Sequence, residues 1–321
     1  MATNSTIEWT DTTWNPVSGC DKVSPGCAHC YAETMAARLK AMALKDIADG
    51  KDPGRKRHYI DAIDDKGRWS GKMTPVPESL ADPLHWKKPR RVFVNSMSDL
   101  FHDDVPDEFI DRVFATMYQA QWHTYQVLTK RAERMRRYMT APHRLVAIGT
   151  AAFALAAQMA PEKAAILSNS EFVNDLEMGM WPLPNVWLGV SAEDQQRADE
   201  RIPWLLKTPA AVRFISAEPL LGPIDLAEAV INRRRGDPAD WVIVGGESGH
   251  DSRPCRATWV RDIVRQCADA GVACFVKQLG ANAEDGHGVH RKLLLKDKKG
   301  GDPAEWPEDL RVRQYPEVVH G

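Results

Sequence analysis

A repeated alternation of short apolar runs with helix-like stretches constrains the fold of this chain more than any other feature. The runs are Arg91–Asn95, Tyr125–Thr129, Val186–Val190, Val212–Ser216, Trp241–Val244 and Cys274–Lys277. Nearly continuous Val, Ile, Phe, Leu and Trp in pieces this short predicts strands covered on both faces, the habit of parallel sheets. Between them, Pro106–Gln121, Gln195–Leu206 and Thr258–Ala270 read as helices. The last has Thr258 as its N-cap, Val260, Ile263, Val264 and Cys267 at helical spacing, and Gly271 as its stop. With a first strand near Thr13–Val17, the pattern predicts an α/β chain of six or seven βα units. These form a partial or nearly closed parallel barrel.

One barrel domain accounts for all 321 residues, because such barrels reach this length as a single unit. Two segments break the rhythm and read as insertions, about 48–77 and about 141–184. The second holds an Ala-rich helix and a further helix before a Trp-Pro-Leu-Pro linker. Residues from about 281 to 321 read as a small β extension. The net charge of -2 excludes a strong global attraction to nucleic acid and leaves only local patches. The N-terminal stretch is polar and lacks the apolar core of a secretory signal. The longest apolar stretch, Leu145–Ala160, is interrupted by Gly149, Thr150 and Gln158, short of the ~20 residues a membrane span needs. A cytoplasmic protein without membrane contact is expected, in a compartment where clustered cysteines bind metal.

Polar residues follow the apolar runs: Asn95, Ser96 and Asp99; Thr129 and Lys130; Ser191 and Glu193; Ser216 and Glu218; Gly245, Gly246 and Glu247; Lys277 and Gln278. Barrel enzymes build their sites at the C-terminal strand ends, where these residues stand. Taken singly, each is equally an ordinary turn or cap residue.

The sharpest motif is a turn from Gly19 to Tyr31 that holds Cys20, Cys27 and Cys30. Pro25 and Gly26 tighten it, and a helix-like stretch, Ala32–Leu44, follows. Three thiolates from one turn satisfy three irons of a [4Fe–4S] cluster and leave the fourth iron open. The positive end of the following helix suits an anionic cluster. The alternative is a structural zinc site, which needs a fourth ligand. His29 is poorly placed between its neighbours, while Cys255 and Cys274 are distant in sequence. Cys267, on the apolar helix stripe, and Cys274, at the start of a run, read as core residues.

The three-cysteine turn, ending in Cys27 to Ala32, resembles the radical SAM superfamily, with the spore-photoproduct-lyase-like branch nearest. More closely, the chain resembles an uncharacterised family of phages and bacteria with a C-x6-C-x2-C motif. Val186–Ser191, Arg213–Leu221, Trp241–Gly249 and Phe275–Gln278 carry that likeness, which runs from Trp9 to about Gly280. The resemblance implies a radical SAM-type barrel, a [4Fe–4S] cluster on Cys20, Cys27 and Cys30, and S-adenosylmethionine on the open iron. It further implies a reducing electron donor and cleavage of the sulfonium to a 5′-deoxyadenosyl radical. Under it, Ser191, Glu193, Ser216, Gly245 and Gly246 become candidates for binding the cofactor. Asp99, Glu218, Glu247 and Lys277 become candidates for contact with cofactor or substrate. The chain departs from the superfamily in two respects. Its first cysteine gap is three residues longer than the common C-x3-C-x2-C, and His29 stands where an aromatic residue is frequent. Gly245–Glu247 matches the superfamily's amino-group motif in letters, yet it follows a late strand instead of the second, and the role is not carried over.

Basic clusters at Arg55–Arg57, Lys87–Arg91, Lys130–Arg137 and Arg233–Arg235 lie near Tyr59, Trp86 and Tyr138. That mixture suits phosphate contact with base stacking, so nucleic acid modification or repair is one expectation for the substrate. A solvated charged surface is the other reading of the same residues. Two rival functions stay open: a zinc-stabilised nucleic-acid-binding protein without catalysis, and an atypical iron–sulfur enzyme that cleaves a different sulfonium bond.

Overall fold

A computed structural model describes residues 5–159, 174, 180–230, 238–286 and 291–317. The chain divides into two compact units. The first takes Met1–Val23, Cys30–Trp187 and Pro209–Ala211; the second takes Ser24–His29, Leu188–Thr208 and Val212–Gly321.

In the first unit, β1 (Thr12–Trp14) is followed by β2 (Val17–Ser18) and α1 (Tyr31–Ala48). Next come β3 (Thr74–Pro75), β4 (Arg91–Val94), α2 (Asp107–Gln119) and β5 (Thr124–Thr129). Two further helices, α3 (Ala132–Met139) and α4 (Arg144–Met159), complete it. β1 pairs parallel with β4, Trp14 opposite Val94, and β4 pairs parallel with β5, Val94 opposite Val127. The sequence expected a single first strand over Thr13–Val17. Instead β1 stops at Trp14, and Val17–Ser18 pairs antiparallel with Thr74–Pro75. The polar insertion thus returns to cover the start of the cysteine turn. It also packs on α1: Ala32, Ala36, Ile63 and Met97 form a buried cluster, with Cys30, Tyr59 and Trp69 against it.

The break between the units falls inside β6 (Val186–Ser191), every residue of which is buried. The second unit continues with α5 (Gln195–Leu206), β7 (Val212–Ala217), α6 (Ala227–Val230) and β8 (Trp241–Gly245). It ends with β9 (Cys255–Arg256), α7 (Ala257–Ala270), β10 (Ala273–Gln278) and β11 (Ala283–Glu284). β7, β8 and β10 pair in parallel, Phe214 opposite Trp241 and Trp241 opposite Ala273. α5 has the predicted bounds, and Asp194 caps it by accepting from Arg197 N. α7 starts at Ala257 with Arg256 as N-cap, so Thr258 lies inside the helix and is not its cap. Gly271 ends α7 in the left-handed conformation, φ 67°, as its sequence position predicts.

The principal strands succeed one another in chain order, β1-β4-β5-β6-β7-β8-β10, a seven-stranded sheet with helices between successive strands. The α/β class and the parallel strands are therefore as expected. β6 and β8 are buried throughout because such strands are covered on both faces. After β10, β11 pairs parallel with β9, and Arg313 bridges to Phe275, which gives the C-terminal extension its β character. The second helix expected within 141–184 and the Arg233–Arg235 cluster lie outside the described residues. Among the described residues no helix is long and apolar enough to cross a membrane.

Candidate functional site

The cysteine turn leads directly into α1, with Cys30 at the N-cap position and no side-chain cap bond. Cys20 and Cys30 belong to the first unit and Cys27 to the second. None of the six cysteines is in a disulfide; Cys20, Cys27 and Cys30 are half-buried, whereas Cys255, Cys267 and Cys274 are buried. Burial pushes the Cys255 thiol up to about 12. Contact with Cys267, then burial, raises Cys274 well above the ordinary thiol range. Cys255 and Cys274 are poor thiolates, and all three buried cysteines serve the core. The three in the turn reach solvent, are not cross-linked, and precede a helix N-terminus. The described residues hold no ready-made group of three or more Cys, His, Asp or Glu around a metal position. The fit to an iron–sulfur cluster thus rests on donor chemistry: three reachable, uncrosslinked thiols on one turn.

In the first unit, the Cys20 end of the turn is tied to the ends of β4 and β5. Asp99 Oδ1 accepts from Thr129 Oγ1 at 2.7 Å and from Phe101 N at 3.0 Å. Its Oδ2 accepts from Lys130 N at 3.1 Å and Arg131 Nη1 at 3.0 Å. Arg131 Nη2 donates to Asp21, the residue after Cys20. Burial works against the Arg131 charge, but Asp99, Cys20 and Asp21 outweigh it and hold the guanidinium more firmly protonated. Asp99 is thus enclosed by four donors, and its carboxylate braces Arg131. Beside it Asn95, buried, takes a left-handed φ of 61°, which Asn tolerates better than most residues.

In the second unit, two carboxylates reach the segment around Cys27. Glu193, fully buried after β6, accepts from Gly26 N at 3.1 Å and from Arg201 Nη1 at 2.9 Å. Arg201 Nη1 also donates to the Ser191 carbonyl at 2.9 Å. A Cβ on Gly26 would stand 2.9 Å from Glu193 Cδ, so only glycine permits this approach. Glu247, after β8, accepts from Arg253 N, Nε and Nη2 at 2.9, 3.1 and 2.7 Å. Its Oε2 also lies 2.9 Å from His29 Nδ1. Burial alone would raise the Glu247 carboxyl, yet bonds from Arg253 and His29 bring it below the usual carboxylate range. Arg253 Nη1 donates to the Pro25 carbonyl at 2.9 Å.

A second group in this unit gathers at the ends of β7 and β10. Lys277 Nζ lies 3.1 Å from Glu218 Oε1, and Ser216 Oγ donates to Glu218 Oε2 at 3.3 Å. The register of β10 against β8 shifts between Val276 and Gln278, and this bulge releases Lys277 from the ladder. Gly245 and Gly246 do permit close approach, but the protein makes it: added Cβ atoms would meet Glu218 Oε1 at 2.7 Å and the Leu279 carbonyl oxygen at 2.3 Å.

The predicted residues therefore sort into three sets. Glu193 and Glu247 meet the Cys27 segment, Ser216, Glu218 and Lys277 form a partly buried polar group, and Asp99 braces Arg131. Sequence reasoning missed Asp21, Arg131, Arg201 and Arg253. Arg201, eight residues after Glu193, carried a faint signal, because it falls on the helix that follows β6; the Arg131–Asp21 pair had none. Within the basic clusters, Arg55 pairs with Asp82, Lys56 with Asp46, Arg91 with Asp11 and Arg134 with Asp107. These four charges are matched by the protein's own carboxylates.

No curated protein and no solved structure matches the chain. Residues 4–307, nearly its whole length, match one family, and the chain belongs to it: the family described as "Protein of unknown function (DUF5131)".

Proposed function

We propose that this protein is a radical SAM-type enzyme built on a partial parallel barrel, in which Cys20, Cys27 and Cys30 would hold one [4Fe–4S] cluster and S-adenosylmethionine would bind at its open iron. The observation that carries the reading is the contrast among the cysteines: three on one turn are half-buried and outside any disulfide, while the other three are buried. When bound, such a cluster supplies the electron for reductive cleavage of the S-adenosylmethionine sulfonium. The chain's own part is to hold the ligands and to present polar groups. Asp99 and Arg131 fix Asp21 beside Cys20. Glu193 holds the Gly26 amide beside Cys27. Lys277 and Glu218 offer a cation and a carboxylate, only partly buried, at strand ends. Barrel enzymes place cofactor and substrate contacts at such ends.

The test is anaerobic reconstitution followed by iron and sulfide analysis, EPR with and without S-adenosylmethionine, and chromatography for 5′-deoxyadenosine after reduction. Iron and sulfide in equal amounts, an EPR signal altered by S-adenosylmethionine, and 5′-deoxyadenosine formation are expected. A colourless protein with tetrahedral zinc and no sulfide would instead establish the zinc-stabilised alternative. A cluster whose sulfonium product is not 5′-deoxyadenosine would identify the atypical enzyme.

A further inference from the structure

Glu247 is the residue whose letters suggest one role and whose contacts describe another. In sequence it ends a Gly-Gly-Glu run of the kind that binds a cofactor amino group. In the fold, its carboxylate is enclosed by Arg253 through three bonds and by His29 through a fourth. Arg253 continues to the Pro25 carbonyl, so one carboxylate–guanidinium pair grips the Cys27 segment on both sides, at Pro25 and at His29. Glu193 adds a third hold at the Gly26 amide. Inside this frame the segment closes one short turn of its own, Cys27 N to Ser24 O at 2.9 Å and Ala28 N to Pro25 O at 3.1 Å. Six residues with one short turn have little intrinsic stability, so outside anchors must supply it.

We infer that the Glu247–Arg253 pair is a positioning element for Cys27, which fixes the ligand-bearing turn before any metal arrives, and that Glu247 is not a contact of the cofactor. The inference rests on the cluster reading only for its purpose; the grip itself belongs to the metal-free protein. A ligand turn ordered in advance lowers the entropy lost on metal binding, as supporting hydrogen bonds do around other metal ligands.

The experiment compares wild type with Arg253→Met and Glu247→Gln by hydrogen–deuterium exchange on the metal-free protein, read on peptides covering 24–30. Amides of α7 and β10 serve as the internal check of folding. Each variant is expected to speed exchange of the Gly26, Cys27 and Ala28 amides by about tenfold, the effect of losing a charge-assisted bond on local opening. The α7 and β10 amides should not change. On reconstituted protein, both variants should also surrender iron to a ferrous chelator faster than wild type. Unchanged exchange at 24–30 in both folded variants overturns the inference. So does a Glu247→Gln protein that keeps exchange and iron retention but binds S-adenosylmethionine more weakly, because Glu247 would then be the cofactor contact its letters suggest. Should wild type take up no iron and sulfide, the cluster reading fails, and the exchange data still decide whether the pair orders the turn.

Discussion

Gly246→Ala separates a packing role from a ligand-admitting role at the end of β8. The added Cβ would stand 2.3 Å from the Leu279 carbonyl oxygen, 2.8 Å from its carbon and 2.8 Å from Cys255 Cβ. Two of these are backbone atoms, held by Gly246 N to Gln278 O at 3.0 Å and Leu279 N to Gly300 O at 2.8 Å, so they cannot swing aside. Overpacking of this kind costs about 1–3 kcal/mol. Stretching a neighbouring backbone hydrogen bond adds about 1 kcal/mol. The stiffer unfolded chain offsets about 0.4–1 kcal/mol, which leaves a net loss of about 1–4 kcal/mol. In a chain of this size that lowers the thermal midpoint by about 2–6 °C. The assay is thermal and urea unfolding followed by circular dichroism, with Gly222→Ala as control. A Cβ at Gly222 meets nothing within 4 Å, so that variant should stay within about 0.5 kcal/mol of wild type. A Gly246→Ala protein with an unshifted midpoint and weakened S-adenosylmethionine binding would refute the packing argument.

Arg131→Met strands the buried Asp99 carboxylate and should cost about 3–5 kcal/mol in urea unfolding, with partial recovery in the Arg131→Met/Asp99→Asn double variant; equal stability of the single variant would count against the bracing role. A thiol reagent on the native protein should react quickly at three cysteines, Cys20, Cys27 and Cys30, and reach Cys255, Cys267 and Cys274 only on unfolding. Peptide mass spectrometry identifies the sites, and rapid labelling of Cys255 would contradict its burial. Burial opposes ionisation of Asp107, yet bonds from Arg134 and Arg144 hold its carboxyl below the ordinary value of 3.8. A depressed folded value contributes stability that is fully present above the unfolded value and lost as pH falls through the folded one. The stability difference between wild type and Asp107→Asn should therefore be constant near neutral pH and shrink on acidification below about pH 4. A difference that stays constant down to pH ~2 would show that the pairing does not shift this carboxyl.

The strands were legible because their signal is local. Continuous apolar runs bounded by polar turns located β4 to β8 and β10 to within a residue or so, and the bounds of α5 were equally legible. The start of α7 was less legible: Thr258 is the better capping side chain, yet β9 ends at Arg256 and the helix begins directly after it, which leaves Thr258 inside. The division of Thr13–Val17 into two short strands depends on Thr74–Pro75, a partner nearly sixty residues away. The cysteine turn was legible as a motif, but what holds it was not. Its grips come from Asp99 through Arg131, from Glu193 directly at the Gly26 amide, and from Glu247 at His29 and through Arg253, across separations that no local pattern records.

By itself, then, the sequence determined where apolar segments would bury and where thiols and charges would stand at their ends, because periodicity and turn chemistry act over a few residues. The tertiary structure alone decided which carboxylate meets which guanidinium, and so which strand-end residues brace the cysteine turn. A buried ion pair depends on distance in space, and the chain path sets that only once the sheet has formed.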